Sequence, residues 1–310
     1  MVERVTCLAG GVGAAKFLQG LVKIIPQEYI TVIVNTGDDI ELHGLHISPD
    51  PDIVMYTLAG FVDEEKGWGI RDDTFHCLNM LQKYHSETWF KLGDKDLATH
   101  ILRTQLLRGG LALDEVTRKL CDCLGLKMRI LPMTNDKVAP QIITAAGRMH
   151  FEEYLVKRGA TNKVLDVVFE GVDSALPAPG VVESIREADG VIVCPSNPIV
   201  SIGPILAIRG VREALRDTPA KVVAISPIVG GATIKGPADK LMQGLGLEVS
   251  AYSVAFLYRD FLNVFILDEI DRLEKERVEE LGVEAVVADT VMRSLEDKVE
   301  LGRLALEALD

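Results

Sequence analysis

Short apolar runs alternate with longer helical patterns along most of this chain. The runs are rich in Val and Ile and nearly uninterrupted, as is typical of strands buried on both faces of a parallel sheet. They predict strands at Arg4–Leu8, Tyr29–Val34, Lys127–Leu131, Asp166–Phe169, Gly190–Cys194, Lys221–Ile225, Val264–Leu267 and Glu284–Ala288. Helical patterns fall between and after them at Pro204–Leu215, Pro237–Leu245 and Ser294–Ala308. This alternation predicts an α/β fold with a Rossmann-like, doubly wound and mainly parallel sheet.

Two stretches depart from the alternation. Residues 53–126 are mostly helical in pattern, with the clearest signals at Asp94–Arg108 and Leu113–Leu124. We therefore expect a single α/β domain over residues 1–310, in which 53–126 form a helical insertion that covers the ligand end of the sheet. Gln141–Val156 alternates apolar and polar residues around Gly147 and Arg148, which predicts a small antiparallel hairpin.

Composition and charge narrow the class of protein. The 310 residues are 48% hydrophobic and 25% charged, as in a folded globular protein. The formal net charge is -13 and no dense run of Lys and Arg occurs, which argues against a nucleic-acid surface. The five cysteines lack the spacing of a zinc site, and neither a signal-peptide pattern nor an apolar run of membrane-spanning length is visible. We expect reduced thiols and a cytoplasmic protein with no membrane partner.

A glycine-rich turn follows the first predicted strand. Gly10, Gly11, Val12 and Gly13 stand between the apolar run and a helical pattern that begins near Lys16. Glycines let the backbone approach a phosphate closely, and the first amides of a helix point at it. The third glycine of a dinucleotide fingerprint is replaced by Lys16, and the second strand ends in Asn35 instead of an acidic residue. The turn therefore favours a phosphate-bearing ligand other than NAD, although a bare glycine turn can also be only a tight connection.

The loop after the second strand is rich in aspartate. Asp38, Asp39, Asp50 and Asp52 lie within fifteen residues of one another and close to the glycine turn in the predicted sheet. Hard cations such as Mg²⁺ bind carboxylate and phosphate oxygens, so a metal site or a catalytic carboxylate is one interpretation. The alternative is a turn at Asp38 and Asp39 followed by a helix capped by aspartate. Asp52 is the best candidate for that cap, which leaves Asp38 and Asp50 as the better ligand candidates.

Two later strands also end in polar loops. Ser196 and Asn197 follow one of them, and Ser226, Ile228 and Lys235 lie in the loop after the next. Because ligands of open α/β sheets bind at the carboxyl ends of the strands, the three loops together predict a nucleotide-sized crevice. Weaker candidates are two i, i+4 pairs that could bind metal but are more often ion pairs, and one aromatic segment that suits either a stacked heterocycle or core packing. These are Asp72 with His76, Asp96 with His100, and Glu87–Asp94.

Six segments, in order along the chain, carry a family resemblance. They are Leu8–Gly13, Asn35–Asp39, Ser48–Asp52, Leu92–His100, Pro195–Pro204 and Ser226–Ile228. The chain resembles the 2-phospho-L-lactate transferases of coenzyme F420 biosynthesis from its first strand to its last helix. The family usually has Arg at the position of Lys16, and Lys retains the charge but loses the bidentate fork. A direct phosphate contact by residue 16 therefore stays open.

The resemblance implies a reaction. A phospholactyl group would move from lactyl-2-diphospho-5'-guanosine to the ribityl hydroxyl of the deazaflavin FO, giving F420-0 and GMP with Mg²⁺ as the required cofactor. Asp50 would lie at the reacting hydroxyl, as a base or through the metal, with Asp38 and Asp39 at or behind that metal.

The resemblance also implies where the two substrates bind. Gly10, Gly11, Val12 and Gly13, with Asn35, Ser196 and Asn197, would bind the diphosphate, and Ser226, Ile228 and Lys235 the guanosine end. Asp50, Thr88 and Lys91 would contact FO. Three points stay open: whether the donor carries lactate, enolpyruvate or glycerate, whether the chain forms a homodimer, and whether it is instead a nucleotide-sugar-binding regulator of the gluconeogenesis-factor type.

Overall fold

The core of the protein is a seven-stranded parallel sheet, seen in a computed structural model that describes residues 3–84 and 88–310. The strand order in this sheet is β14-β13-β10-β9-β1-β2-β5. All strands of the described residues are, in chain order, β1 Val5–Ala9, β2 Ile30–Val34, β3 Ile40–Leu42, β4 Leu45–Ile47, β5 Arg129–Pro132, β6 Ala139–Thr144, β7 Gly147–His150, β8 Val164–Glu170, β9 Gly190–Val193, β10 Lys221–Ile225, β11 Ile228–Val229, β12 Ala232–Thr233, β13 Val264–Asp268 and β14 Glu284–Ala288. The predicted doubly wound parallel sheet is confirmed.

Helices cover both faces of this sheet. They are α1 Gly11–Leu21, α2 Pro49–Leu58, α3 His76–Tyr84, α4 Asp94–Arg108, α5 Leu113–Cys123, α6 Val181–Arg186, α7 Ile202–Ala207, α8 Val211–Asp217, α9 Ala238–Gly244, α10 Ala251–Tyr258, α11 Lys275–Glu279 and α12 Leu295–Glu307. Short 3-10 helices occur at Gln27–Tyr29 and Glu269–Glu274, and a π-helix at Glu153–Lys157. Within the described ranges, every helix is too short or too polar to span a lipid bilayer.

The two faces of the sheet form two hydrophobic cores. Val5, Cys7 and Ala9 of β1 pack with α1, α2, α5 and α12, whereas Leu8 points to the opposite face and packs with α6 to α10. This alternation follows from the period of two along a strand, and it explains why the strand sequences are apolar at almost every position.

Two sequence predictions need correction. The run Asp166–Phe169 belongs to no parallel strand, because β8 pairs antiparallel with β6 in a separate three-stranded sheet ordered β7-β6-β8. Its alternating exposure is typical of a strand with one solvated face. The helix predicted at Pro204–Leu215 is two helices, α7 and α8, separated by Gly210 at a φ of 86°.

The predicted hairpin and the insertion have different outcomes. The hairpin is confirmed by β6 and β7, but it ends at His150 and the chain then turns into the π-helix. Helices α3, α4 and α5 lie between β4 and β5, where the helical stretch was expected. That residues 53–126 form one insertion covering the ligand end of the sheet stays a prediction.

Candidate active site at the carboxyl edge of the sheet

The glycine turn joins the central strand β1 to α1 and brings two loops together. Gly11 has a φ of 68°, which glycine adopts without strain. A Cβ at Gly13 would overlap the carbonyl oxygen of Pro195, and one at Gly10 would lie 2.6 Å from the Cβ of Ser201. The Gly10 N–H donates to the Ser196 hydroxyl at 3.2 Å. Glycine is thus required here because the loop after β9 presses against the turn.

Asp50 lies where this turn, the end of β2 and the start of α2 meet. Its carboxylate accepts hydrogen bonds from the Asn35 amide, at 2.9 Å, and from the backbone N–H of Gly11. Asn35 also donates to the carbonyl of Val200 at 3.3 Å, so one side chain connects β2, α2 and the loop after β9. The prediction that Asp52 caps the helix is wrong, because α2 begins at Pro49 and Ser48 holds the cap position.

Four carboxylates gather beside the turn, and we call them the acidic cluster: Asp38, Asp39, Asp50 and Glu152. Three of them are 4–6% exposed, and the side chain of Asp39 is 12% exposed. The second oxygen of Asp39 accepts from His46 and from Ser48, each at 2.8 Å. Oδ1 of Asp38 and Oδ1 of Asp39 are buried without a hydrogen-bond partner among the described residues. Asp38, Asp39 and Asp50 were predicted; Glu152 was not.

Burial and mutual repulsion make these carboxylates hard to ionise. Burial raises the pKa of Asp50 to about 7, against the hydrogen bond from Asn35, and the charge of Asp39 adds to the shift. Burial, with the charge of Asp50, raises the pKa of Glu152 to about 8. The pKa of Asp38 rises well above its usual range because of burial and then because of Asp50 and Glu152. If all of its carboxylates were ionised, the cluster would therefore hold more negative charge than its surroundings balance.

The donor set of the acidic cluster fits a hard divalent cation. All four groups offer carboxylate oxygens, and two of those oxygens are buried without a partner in the described part of the chain. Mg²⁺ prefers oxygen ligands and retains water, so it needs only one or two of these carboxylates.

A second group of buried acids differs from the first because it contains its own cation. Ligand atoms of Asp52, Asp96 and His100 lie within 4.8 Å of one another. Arg103, only 1% exposed, binds both carboxylate oxygens of Asp52, and the Tyr56 hydroxyl donates to Asp96 at 2.7 Å. We call these five residues the paired network. Because Arg103 already supplies a positive charge to Asp52, we interpret this group as a buried ion-pair network that connects α2 to α4.

The structure separates the two i, i+4 pairs that the sequence suggested for metal binding: one pair is in contact on α4, and the residues of the other do not share a helix. His100 lies 3.1 Å from Asp96, as expected for an ion pair on α4. Asp72 and His76 do not share a helix, since α3 begins at His76 and Asp72 has a φ of 54°.

The later loops use several predicted residues to shape the backbone. The side-chain oxygen of Asn197 accepts from the N–H groups of Ile199 and Val200 at 3.0 and 3.3 Å. The Ser226 hydroxyl donates to the carbonyl of Ile228 at 2.8 Å and stabilises the turn that follows β10. Of these side chains, Ser196 alone contacts the glycine turn through a described hydrogen bond.

The segment predicted to contact the acceptor has a link to the acidic cluster. Thr88 and Trp89 are half-buried and Lys91 is exposed, while Glu87 lies outside the described residues. The ammonium of Lys157 lies 5.9 Å from the ring centroid of Trp89. Because Lys157 ends the π-helix that starts directly after Glu152, this segment and the acidic cluster lie on the two ends of one short helix.

The sequence comparisons identify the family. The family model for 2-phospho-L-lactate transferase CofD matches residues 5–303. This chain belongs to that family. It is an enzyme, a transferase of coenzyme F420 biosynthesis, and it acts on small-molecule substrates.

Curated relatives of this transferase carry two names. A 2-phospho-L-lactate transferase of Methanosarcina acetivorans is 45% identical over 303 residues, covering 98% of each chain. A phosphoenolpyruvate transferase of Kitasatospora aureofaciens is 44% identical over 310 residues, covering 98% of this chain and 97% of the relative. Among solved structures, a protein of the UPF0052 family from Bacillus halodurans has a TM-score of 0.66 at 17% identity, with 99% of both chains covered. At that identity the likeness concerns the fold alone.

Proposed function

We propose that this transferase moves a phospholactyl group from lactyl-2-diphospho-5'-guanosine to the ribityl hydroxyl of the deazaflavin FO. The products are F420-0 and GMP. The observation that carries the proposal is the place of Asp50, a buried carboxylate held against the glycine turn by Asn35 and Gly11. A diphosphate bound on that turn and a hydroxyl beside Asp50 would be neighbours.

The reaction is a displacement at phosphorus. The hydroxyl oxygen of FO attacks the phosphorus that carries the lactyl group, and a new P–O bond forms. The bond from that phosphorus to the bridging oxygen breaks, and GMP leaves with the electron pair. Asp50 takes the proton of the hydroxyl, directly or through water, because its carboxylate lies beside the turn that would hold the reacting phosphate. Most of the catalysis is positioning and charge stabilisation, so few other side chains need unusual reactivity.

Asp38, Asp39 and Asp50 would hold the magnesium ion, with Glu152 close behind. When bound, the ion would offset the charge of the carboxylates and of the incoming diphosphate. Support comes from the two buried carboxylate oxygens that have no partner among residues 3–84 and 88–310. Further support comes from the burial and the neighbouring carboxylates that raise the pKa of Asp38.

The remaining contacts to the two substrates would come from the loops at the carboxyl edge of the sheet. Gly10 to Gly13 would offer backbone N–H groups to the diphosphate, together with Ser196, and the loop from Ser226 to Lys235 would bind the guanosine end. Thr88 and Lys91 would contact FO, whose flat ring suits the neighbouring Trp89 and Phe90, themselves packed edge to face at 5.7 Å.

The curated relatives differ in the acyl group that their names imply for the donor. Relatives named for phospholactate and for phosphoenolpyruvate match this chain at 45% and 44% identity, so overall similarity does not discriminate between them. We propose lactate as the first donor to test, with enolpyruvate and glycerate as competitors.

The test is an assay of the purified protein with FO, Mg²⁺ and each of the three donors in parallel. We expect GMP and acylated FO in equal amounts from one donor, measured by chromatography and mass spectrometry. Hydrolysis of the donor without an FO product would contradict the proposal. Fluorescence titration with FO alone separates this function from a nucleotide-sugar-binding regulator, which has no reason to bind a deazaflavin.

A further inference from the structure

Two lysines lie near the glycine turn, and neither is among the charges that shift the pKa of Asp50 or Glu152. Lys16 lies on α1 one helical turn after Val12 and therefore on the same face of the helix. Lys235 lies between β12 and α9, and its side chain packs against Gly67. A Cβ built on Gly67 would lie 2.8 Å from the ammonium of Lys235. That same point is 3.8 Å from Val12, so the ammonium of Lys235 lies close to the turn. We call Lys16 and Lys235 the lysine pair.

The lysine pair is electrostatically unbalanced. Partial burial and the nearby charge of Lys16 lower the pKa of Lys235. The hydrogen bond of Lys235 goes to the backbone carbonyl of Lys66, at 3.4 Å, and no carboxylate of residues 3–84 or 88–310 lies within ion-pair distance of either ammonium. In a chain of net charge -13, two adjacent cations without an acidic partner indicate a site for an anion.

A neighbouring lysine shows the contrast. Lys298 of α12 also feels the charge of Lys16, but it donates to the side-chain oxygen of Gln19 at 2.6 Å and is attracted by Glu64. Its charge is therefore accounted for inside the protein, whereas that of the lysine pair is not.

The turn consequently separates two fields of opposite sign. Asp50 accepts the Gly11 N–H, and Lys235 approaches the next residue of the turn, Val12. A diphosphate lying along the turn would place one phosphorus beside the acidic cluster and the other beside the lysines. The reacting phosphorus must be the one near Asp50, which leaves the lysines beside the phosphate that departs.

We propose that Lys16 and Lys235 bind the leaving phosphate of the guanosine diphosphate donor and stabilise the charge that develops on it. This assignment rests on the proposed function. As the bond between the reacting phosphorus and the bridging oxygen breaks, its electron pair stays on that oxygen, which becomes a terminal oxygen of GMP. The two ammonium groups lie where this negative charge grows, so they favour the transition state over the ground state.

The test removes each charge while retaining the length of the side chain. We expect Lys16→Met and Lys235→Met to lower kcat/KM for the donor by about 10²-fold each, the usual effect of losing one group that stabilises a developing oxyanion. Lys16→Arg and Lys235→Arg retain the charge and should recover most of the activity. Lys298→Met, the matched control, removes an equal charge from the partnered lysine and should leave kcat/KM within about threefold of the wild type.

Binding of products provides a second readout that does not depend on turnover. By calorimetry, both Met variants should lose at least about tenfold in affinity for GMP but retain wild-type affinity for guanosine, which lacks the phosphate. Equal GMP affinity in wild type and both Met variants would overturn the proposal. If the wild type fails to transfer the acyl phosphate to FO, the proposed function fails, and the comparison of GMP with guanosine still decides the role of the lysine pair.

Discussion

Asp50 and Asp52 stand two residues apart in the first turn of one helix, and their surroundings are opposite. Asp52 is bound through both oxygens by Arg103, whereas Asp50 lies beside further carboxylates and, within the described residues, accepts hydrogen bonds from the neutral donors Asn35 and Gly11. The first arrangement is complete within the protein. The second has excess negative charge, which a cation from outside would offset. Aspartates of one short motif can thus serve stability or chemistry, depending on which charges the fold brings to them.

The pKa directions of the two groups agree with this contrast. In the acidic cluster burial raises the pKa values, and neighbouring carboxylates raise them further. In the paired network burial also disfavours the charge of Asp96, but His100, Tyr56 and Arg103 together outweigh it and leave the pKa of Asp96 below its usual value. Removing a charge should therefore destabilise the protein when it is taken from the paired network, and should reduce repulsion when it is taken from the acidic cluster.

The largest expected effect is on stability, from Arg103→Met. This change leaves Asp52 buried and charged without its partner, which typically costs about 3–5 kcal/mol. Urea denaturation of the variant should show this loss. The double variant Arg103→Met with Asp52→Asn leaves no unpaired charge and should recover most of it. A loss below about 1 kcal/mol in the single variant would show that the network does not hold α2 to α4.

Asp50→Asn should affect activity instead. Asn retains an oxygen for the N–H groups of Asn35 and Gly11 but removes the charge, so we expect turnover to fall about 10²-fold or more. The free energy of unfolding should stay the same or rise. Near-normal turnover, or a loss of activity that follows a loss of folded protein, would contradict the role of Asp50 at the reacting hydroxyl.

Magnesium should stabilise the protein through the acidic cluster and not through the paired network. At ten times its Kd, a ligand that binds only the folded state adds about 1.4 kcal/mol, which appears as an upward shift of Tm. We expect Asp38→Asn to abolish the shift and Asp96→Asn, though less stable, to retain it. The reverse result would place the ion among Asp52, Asp96 and His100.

Without metal, we expect a gain in stability from Glu152→Gln. Because the pKa of Glu152 is raised to about 8 by folding, the folded state holds this proton more tightly than the unfolded state. The resulting stability is fully present below the unfolded pKa and is lost as pH rises toward 8. In EDTA the variant should therefore match the wild type near pH 4 and exceed it at pH 8. If the variant and the wild type were equally stable at pH 4 and also at pH 8, Glu152 would not be a buried carboxylate that its neighbours repel.

The sheet and the position of the site could be predicted because both depend on local patterns. Continuous Val and Ile runs predict parallel strands, and polar loops after such strands predict a ligand edge. The same reasoning placed Asp166–Phe169 in the wrong sheet, since a short apolar run does not show whether one or both of its faces are buried. It also missed the break at Gly210, because a helical pattern continues on both sides of it.

The electrostatic details of the site were beyond the sequence pattern. Glu152 follows a hairpin far along the chain from Asp50, and only the tertiary fold brings the two charges together. The partner of Asp52 is likewise fifty-one residues away. Without knowledge of Arg103, an aspartate near the start of a helix is most simply interpreted as a cap, which is why the role of Asp52 was predicted wrongly. One local signal could have drawn attention to Glu152: it is an acidic residue placed between the end of the hairpin and the start of a helical pattern.

The position of β1 has a consequence for synthesis on the ribosome. Of its two neighbours in the sheet, β2 follows β1 closely along the chain, whereas β9 begins only at Gly190. At 5–20 residues per second, the first strand waits on the order of 10 s for that partner. Throughout that interval one edge of β1 presents unpaired N–H and C=O groups to other nascent chains. Pro195 and Ser196 arrive at the end of it, so the turn that would bind phosphate is among the last parts of the N-terminal half to become native.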